Sequence, residues 1–251
     1  MVVKVLNSVF KKFGYQLSKK EDEAIIDILQ DEAFMKIYTQ CRPFTMTSPE
    51  RMYSLYKSVE YVLQNNIAGD FVECGIWRGG CSMIMALTLL KHGVTDRKIY
   101  MYDTYEGMSA PTDEDKSITG KTAQEILSTQ DRLDRTSIWC YSALEEVKAN
   151  LAKTGYPADQ LFFVKGKVED TIPGTIPATI ALLRLDTDWY ESTWHELQHL
   201  YPILSQKGIL IIDDYGHWQG AKRAVDNYIS TEKIKILLNR IDYTGRIAVK
   251  S

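Results

Sequence analysis

From residue 69 onward the chain repeats one texture, in which short and nearly continuous apolar runs are separated by stretches with apolar residues every three or four positions. The runs are DFVEC (70–74), KIYMY (98–102), LFFVKG (161–166), IALLRLD (180–186) and GILIID (208–213), then KIKILL (233–238) and GRIAVK (245–250). Apolar runs of this length between turn residues describe strands buried on both faces. Strands that alternate with helices are joined by right-handed crossovers into a parallel sheet. The stretch AVDNY continues the alternation as a helix after the fifth run. The last two runs are separated only by NRIDYT (239–244), too short for a helical crossover, so they predict an antiparallel hairpin at one edge. The predicted fold is α/β: a doubly wound, mostly parallel, Rossmann-like sheet of seven strands.

Upstream, the pattern is helical. In MVVKVLNSVFKKFGY, Val2, Leu6, Val9, Phe10 and Phe13 share one stripe and Lys4, Lys11 and Lys12 lie off its centre, which predicts an amphipathic arm. A second helix is predicted over residues 21–39. A third begins at TSPERMYSLY, where Ser48 caps, Pro49 takes the first helical position, and Met52, Leu55, Tyr56, Val59 and Leu63 form the buried face. The resulting division is an N-terminal helical arm or lid over residues 1–45 and one α/β domain over 46–251. An arm with one apolar face docks on its own domain or on a partner subunit, with contact at a membrane surface and partial disorder as the alternatives, and a homo-oligomer joined through it is the expectation.

Composition narrows the chemistry. With 251 residues and 45% hydrophobic content the chain can build one large core. A formal charge of -3 and a pI near 5.9 exclude a dedicated nucleic-acid binder, which needs clustered excess Lys and Arg. Cys41, Cys74, Cys81 and Cys140 contain no C-x-x-C pair, so neither a zinc site nor a disulfide framework is predicted, and a reducing cytoplasm suits them. No run approaches the roughly 20 apolar residues of a membrane span.

In an open α/β sheet the ligand sits at the carboxyl ends of the central strands. The first strand ends in VECGIWRGG, whose Gly75, Gly79 and Gly80 let the backbone approach a ligand at a helix N-terminus. Their G-x-x-x-G-G spacing is not the dinucleotide fingerprint, which counts against NAD. The next strand ends in Asp103, placed to accept both hydroxyls of a ribose. Glu73 in the first turn and Asp103 after the second strand together describe a pocket for a nucleoside with a positive group, and S-adenosylmethionine is such a ligand. The following switch-point strands bring Asp186, Asp188, Asp213 and Asp214 together, and these would repel one another without a cation or protons. Oxygen-only donors favour Mg²⁺ over zinc. Helix capping is the alternative use of these aspartates.

HELQH (195–199) matches the helical H-E-x-x-H of zinc proteases. On a helix over residues 190–204, however, Thr193, Trp194, Leu197, Leu200, Tyr201 and Leu204 form the apolar stripe, and His195 and His199 fall on the opposite, solvent-facing side. The longer metzincin pattern also fails, because Pro202 and Ser205 replace its glycine and third histidine.

The segments FVECGIWRGG, YDTYEGM, KGKVEDTIP, LLRLDTDWYEST and LYPILSQKGILIIDDYGHWQGAKRAVDNY, with the upstream TMTSPERMYSLY, resemble the macrocin O-methyltransferase (TylF-like) family over residues 45–228. The resemblance implies a class I methyltransferase fold that uses S-adenosylmethionine, released as S-adenosylhomocysteine, and Mg²⁺ to methylate a sugar hydroxyl of a glycosylated small molecule. By motif position it makes Asp186, Asp213 and Asp214 the metal ligands and Asp188 the general base, with His217 as the runner-up base. Cofactor contacts fall on Thr45 and Met46, on Glu73, Cys74, Gly75, Ile76 and Trp77, on Asp103, Thr104, Tyr105, Glu106 and Gly107, and on Asp186. Lys167 and Val168 stand near the adenine, with Lys167 where relatives carry an aromatic residue. Two other readings stay open: methylation of a phenolic or catechol hydroxyl, and a non-catalytic ligand-binding protein on the same fold. The polar segment 106–125 is long enough to be a mobile lid over the acceptor.

Overall fold

The computed structural model describes residues 25–134 and 137–251. The amphipathic arm and the oligomer expected through it lie outside the described residues. The elements run α1 (Ile26–Gln30), α2 (Glu32–Cys41), α3 (Pro49–Gln64), β1 (Asp70–Cys74), α4 (Gly80–Lys91), β2 (Ile99–Asp103), α5 (Ala123–Ser128) and α6 (Leu144–Ala152). They continue with β3 (Leu161–Lys165), α7 (Val168–Thr171), β4 (Ile180–Leu185), α8 (Tyr190–Leu200), β5 (Leu204–Ile212), α9 (Gln219–Thr231), β6 (Asn239–Arg240) and β7 (Arg246–Val249).

The sheet has seven strands in the order β3-β2-β1-β4-β5-β7-β6. The strands from β3 to β5 pair in parallel, and β7 pairs antiparallel with both β5 and β6. The strand order reverses between β1 and β4, which opens a crevice at their carboxyl ends. Alternate side chains serve opposite faces. Phe71, Met101, Leu182 and Ile211 pack under α2, α3 and α4, while Val72, Leu183, Leu185 and Ile212 pack under α8 and α9.

Three boundaries differ from the sequence pattern. The helix over residues 21–39 breaks at Asp31, whose side chain accepts the Phe34 amide and caps a new helix. Ile28, Phe34, Ile37, Tyr38 and Cys41 belong to the main core, so residues 25–45 pack as part of the α/β domain. The helix expected to reach residue 204 ends at Leu200, because Pro202 follows and Leu204 opens β5. KIKILL forms no ladder. Ile234, Ile236 and Leu238 lie half-buried against the core, and the strand instead takes Asn239 and Arg240, opposite Ile247 and Arg246. The third helix is as expected, with the Ser48 side chain accepting the Arg51 amide and Pro49 at its start.

Candidate active site

The site grows from the ends of β1, β2, β4 and β5. After β1 the chain turns at Gly75, with φ of +83°, where a Cβ would meet the Asp186 carbonyl oxygen at 1.9 Å. Only glycine lets β1 and the end of β4 approach this closely. The Asp186 amide donates to the Cys74 carbonyl at 2.9 Å and extends the pairing by one residue. Asp103, at the end of β2, holds the same turn: its Oδ2 accepts the Ile76 and Trp77 amides at 2.7 and 3.1 Å, and its Oδ1 accepts the Tyr105 amide at 2.6 Å. Burial pushes its carboxyl up, against the opposing pull of those amides. The Thr104 hydroxyl, 3.4 Å from Oδ1, gives its proton to the Gly107 carbonyl at 2.6 Å, so the second lone-pair direction of Oδ1 remains for a hydroxyl.

Glu73 on β1 stands in register with Arg184 on β4. Arg184, 1% exposed, is the hub of the site. Its Nη1 lies 2.7 Å from both Glu73 Oε1 and Asp186 Oδ2, and its Nη2 lies 2.6 Å from Asp213 Oδ1. Arg51 reaches in from α3 to the other Asp213 oxygen and to Asp242. The second oxygen of Glu73 accepts the Ser82 hydroxyl. Burial raises the Glu73 carboxyl to about 7 despite Arg184. Neither arginine was anticipated from the sequence. A lone charge inside the apolar run LLRLD was an available signal for Arg184, whereas Arg51 in a polar helix start offered none.

Asp186, Asp213 and Asp214 each offer an oxygen within 4.8 Å of the others, and among the described residues they are the one such group of His, Cys, Asp or Glu that could hold a metal. Asp214 Oδ2 is buried with no hydrogen-bond partner. Asp188 stands beside it in a left-handed conformation, φ 67°, in hydrogen-bond contact with Asp214 and the Trp218 indole. Burial, then the charge of Asp186, pushes Asp188 to about 7, and burial with the charge of Asp188 raises Asp214 well above the ordinary range. With Asp242, six carboxylates thus surround two guanidinium groups. The excess negative charge, the orphaned Asp214 oxygen and the all-oxygen donor set fit a hard divalent cation such as Mg²⁺.

These groups open on a cavity of about 290 Å³. Of the residues expected from the sequence, Thr45, Met46, Glu73, Gly75, Ile76, Trp77, Asp103, Thr104, Gly107, Lys167, Val168, Asp186, Asp188, Asp213 and Asp214 line it. Cys74, Tyr105 and Glu106 do not. Strand alternation turns Cys74 to the opposite face from Glu73, into the core under α8. Tyr105 is buried in the other core layer with its hydroxyl on the Met101 carbonyl, and Glu106 points outward to pair with Lys165. His217 lines the cavity with its Nδ1 3.4 Å from the Tyr243 hydroxyl, and burial lowers its pKa.

Segment 106–125 is fastened to the body. Asp115, fully buried, accepts the Tyr190 amide at 2.8 Å and the Thr112 amide at 2.7 Å, and Ser117 bridges to Trp218. Ala123, Leu127, Trp189, Trp218 and Ala221 form a small core of their own. Polar composition had concealed these anchors. HELQH lies away from the cavity. His195 Nε2 lies 2.8 Å from the Ile172 carbonyl oxygen, the two imidazoles pack tilted with centroids 4.4 Å apart, and both are half-buried rather than fully solvated.

A family model described as Macrocin-O-methyltransferase (TylF) matches residues 38–249. The 8-demethyl-8-(2,3-dimethoxy-alpha-L-rhamnosyl)-tetracenomycin-C 4'-O-methyltransferase of Streptomyces olivaceus is 36% identical over 201 residues, 80% of this chain and 73% of that protein. Demethyldecarbamoylnovobiocin O-methyltransferase of Streptomyces niveus is 35% identical over the same share of each chain, 80% and 73%. Among solved structures, the O-methyltransferase NovP superposes with a TM-score of 0.71 at 34% identity, covering 83% of this chain and 82% of its own.

Proposed function

The chain belongs to the macrocin O-methyltransferase (TylF) family and is an S-adenosylmethionine-dependent O-methyltransferase, and we propose that it methylates a sugar hydroxyl of a glycosylated natural product. Asp186, Asp213 and Asp214 would hold Mg²⁺, and Asp188 would serve as the general base. The observation that carries this reading is the convergence of three aspartates within 4.8 Å beside the Gly75 turn, with a fourth, Asp188, hydrogen-bonded to Asp214. The two relatives named for tetracenomycin and novobiocin precursors, and the mycinamicin III 3''-O-methyltransferase of Micromonospora griseorubida at 31% identity, act on glycosylated compounds, which supports the acceptor class.

When bound, S-adenosylmethionine supplies a methyl group activated by its sulfonium, and Mg²⁺ supplies Lewis acidity that makes an alcohol easier to deprotonate. The chain does the rest. Asp103 and Glu73 present acceptors to ribose hydroxyls and an amino group, while the Gly75 to Trp77 backbone passes between them. Arg184 and Arg51 keep the aspartates from repelling one another and fix their rotamers. Asp188 takes the hydroxyl proton, oriented by the Trp218 indole and by Asp214. A base near neutrality suits that task, since it is both available and strong enough at pH 7. Trp189, Met108 and Ile138 supply apolar wall, which limits water beside the reacting oxygen.

The test is a panel of demethyldecarbamoylnovobiocin, mycinamicin III and catechol, each incubated with S-adenosylmethionine and Mg²⁺. Methylation of a glycoside at its sugar, lost on chelation and restored by Mg²⁺, is the expected result. Turnover of catechol alone would replace the acceptor class, and S-adenosylhomocysteine binding with no turnover would leave a ligand-binding protein.

A further inference from the structure

HELQH has a use after all, and it resides in its one acid, Glu196. Glu196 is 0% exposed, on the face of α8 that meets the sheet. It forms no ion pair among the described residues, and its Oε2 has no hydrogen-bond partner. A carboxyl in that setting is costly to bury and adds nothing to stability by pairing. Its Oε1 accepts the Thr187 hydroxyl at 3.0 Å, and the Cys74 thiol is in hydrogen-bond contact with the same carboxyl from the end of β1.

Thr187 stands between Asp186 and Asp188. We propose that Glu196 is a positioning residue, which holds Thr187 from beneath and through it the loop that presents Asp186 and Asp188 to the cavity. The loop needs such a hold. Asp188 has φ of 67°, a conformation that costs a non-glycine residue free energy and persists only where its surroundings over-determine it. Upstream, the loop is fixed by the Asp186 amide on the Cys74 carbonyl at 2.9 Å. Downstream, the Trp189 amide donates to the Thr187 carbonyl at 2.8 Å, a tight turn that closes around Asp188. The Thr187 side chain is the anchor between these two points, and Glu196 is what it is anchored to. Burial raises the Glu196 carboxyl well above its ordinary range, so glutamine imitates its neutral form.

This inference rests on the reading of Asp186 as ligand and Asp188 as base, and its test is built to fail separately. Glu196→Ala, Glu196→Gln, Thr187→Val and the double variant Glu196→Ala/Thr187→Val are compared with the full chain. The readouts are hydrogen exchange of a peptide covering residues 184–190, S-adenosylhomocysteine affinity by calorimetry, and kcat and KM on whichever glycoside the wild type methylates. Glu196→Ala and Thr187→Val are expected to speed exchange at residues 187–189 and to lower kcat by roughly 10-fold, with cofactor affinity and KM within about 3-fold. Glu196→Gln should restore wild-type behaviour in every readout. The double variant should be no worse than Glu196→Ala alone, since that variant already removes the Thr187 contact. Wild-type exchange and kcat in Thr187→Val, additive losses in the double variant, or a loss of S-adenosylhomocysteine affinity equal to the loss of kcat would each overturn the proposal. If Glu196→Ala does not fold, Thr187→Val and Glu196→Gln decide it. If no glycoside is methylated, the functional reading fails while exchange still judges the Glu196 contact. If glycosides are methylated by Thr187→Val as by wild type, the functional reading stands and this inference falls.

Discussion

Replacing Arg184 with leucine would remove the centre of the charge network while keeping a buried side chain in β4. Three carboxylates lose their counter-charge: Glu73 and Asp186, each 2.7 Å from the guanidinium, and Asp213 at 2.6 Å. Removing one partner of a buried pair costs about 3–5 kcal/mol. Three such losses do not add, because Asp213 keeps Arg51, and Glu73, already raised to about 7, escapes by taking a proton. A net loss of about 4 kcal/mol is therefore expected, a large share of the roughly 5–15 kcal/mol of a typical domain. For a chain of this size that lowers Tm by roughly 8–16 °C. Circular dichroism melts at several pH values would measure it. Burial already raises the Glu73 carboxyl above its unfolded value and losing Arg184 raises it further, so its contribution is favourable at low pH and is lost as pH rises. The deficit against wild type should accordingly be smaller at pH 5 than at pH 8. Arg184→Lys keeps the charge but not the fork, and should fall between the two. A leucine variant within about 2 °C of wild type, or a deficit that grows on acidification, would refute the argument.

Asp188→Asn should leave S-adenosylhomocysteine and Mg²⁺ binding nearly intact while lowering kcat by on the order of 10²-fold or more; rescue of this variant by added Mg²⁺ would count against its role as base. Alanine at Asp186, Asp213 or Asp214 should instead weaken Mg²⁺ binding, visible as a raised Mg²⁺ requirement in a titration of activity. The double variant His195→Ala/His199→Ala should keep methyl transfer within about 3-fold, and an inactive but folded protein would return the chemistry to HELQH. Burial raises the Glu60 carboxyl, yet hydrogen bonds from Lys57, Lys91, Tyr56 and His92 outweigh it and bring it from 4.5 down to about 2. That depression contributes on the order of 2–3 kcal/mol, present above the unfolded pKa and lost as pH falls toward about 2. Urea titrations of Glu60→Gln should therefore show a deficit at pH 7 that shrinks below pH ~5, and a pH-independent deficit would contradict the linkage.

The five parallel strands were legible because their faces are covered on both sides, fully in β1, β2, β4 and the second half of β5 and partly in the edge strand β3. A strand in that position has no polar side to interrupt its apolar run, so DFVEC, KIYMY, LFFVKG, IALLRLD and GILIID announce it without knowledge of neighbours. Placing the carboxylates followed from the same fact, since in a doubly wound sheet the carboxyl ends of adjacent strands meet. Edge structure was less legible. In KIKILL the alternation is real, and alternate side chains do lie half-buried, but a strand also needs a partner's backbone, and β7 offers one only to Asn239 and Arg240. Side-chain direction at the turns was likewise undetermined: Cys74 follows Glu73 in the motif but faces the other core, and Tyr105 and Glu106 follow Asp103 without facing the cavity. The tertiary structure alone decided how the aspartates are held. Arg51 and Asp213 are 162 positions apart, and Glu73 and Arg184 are 111 apart. A charge pair across that separation leaves no local pattern in the chain, because its attraction depends on distance in space and its tolerance on burial, and folding supplies both.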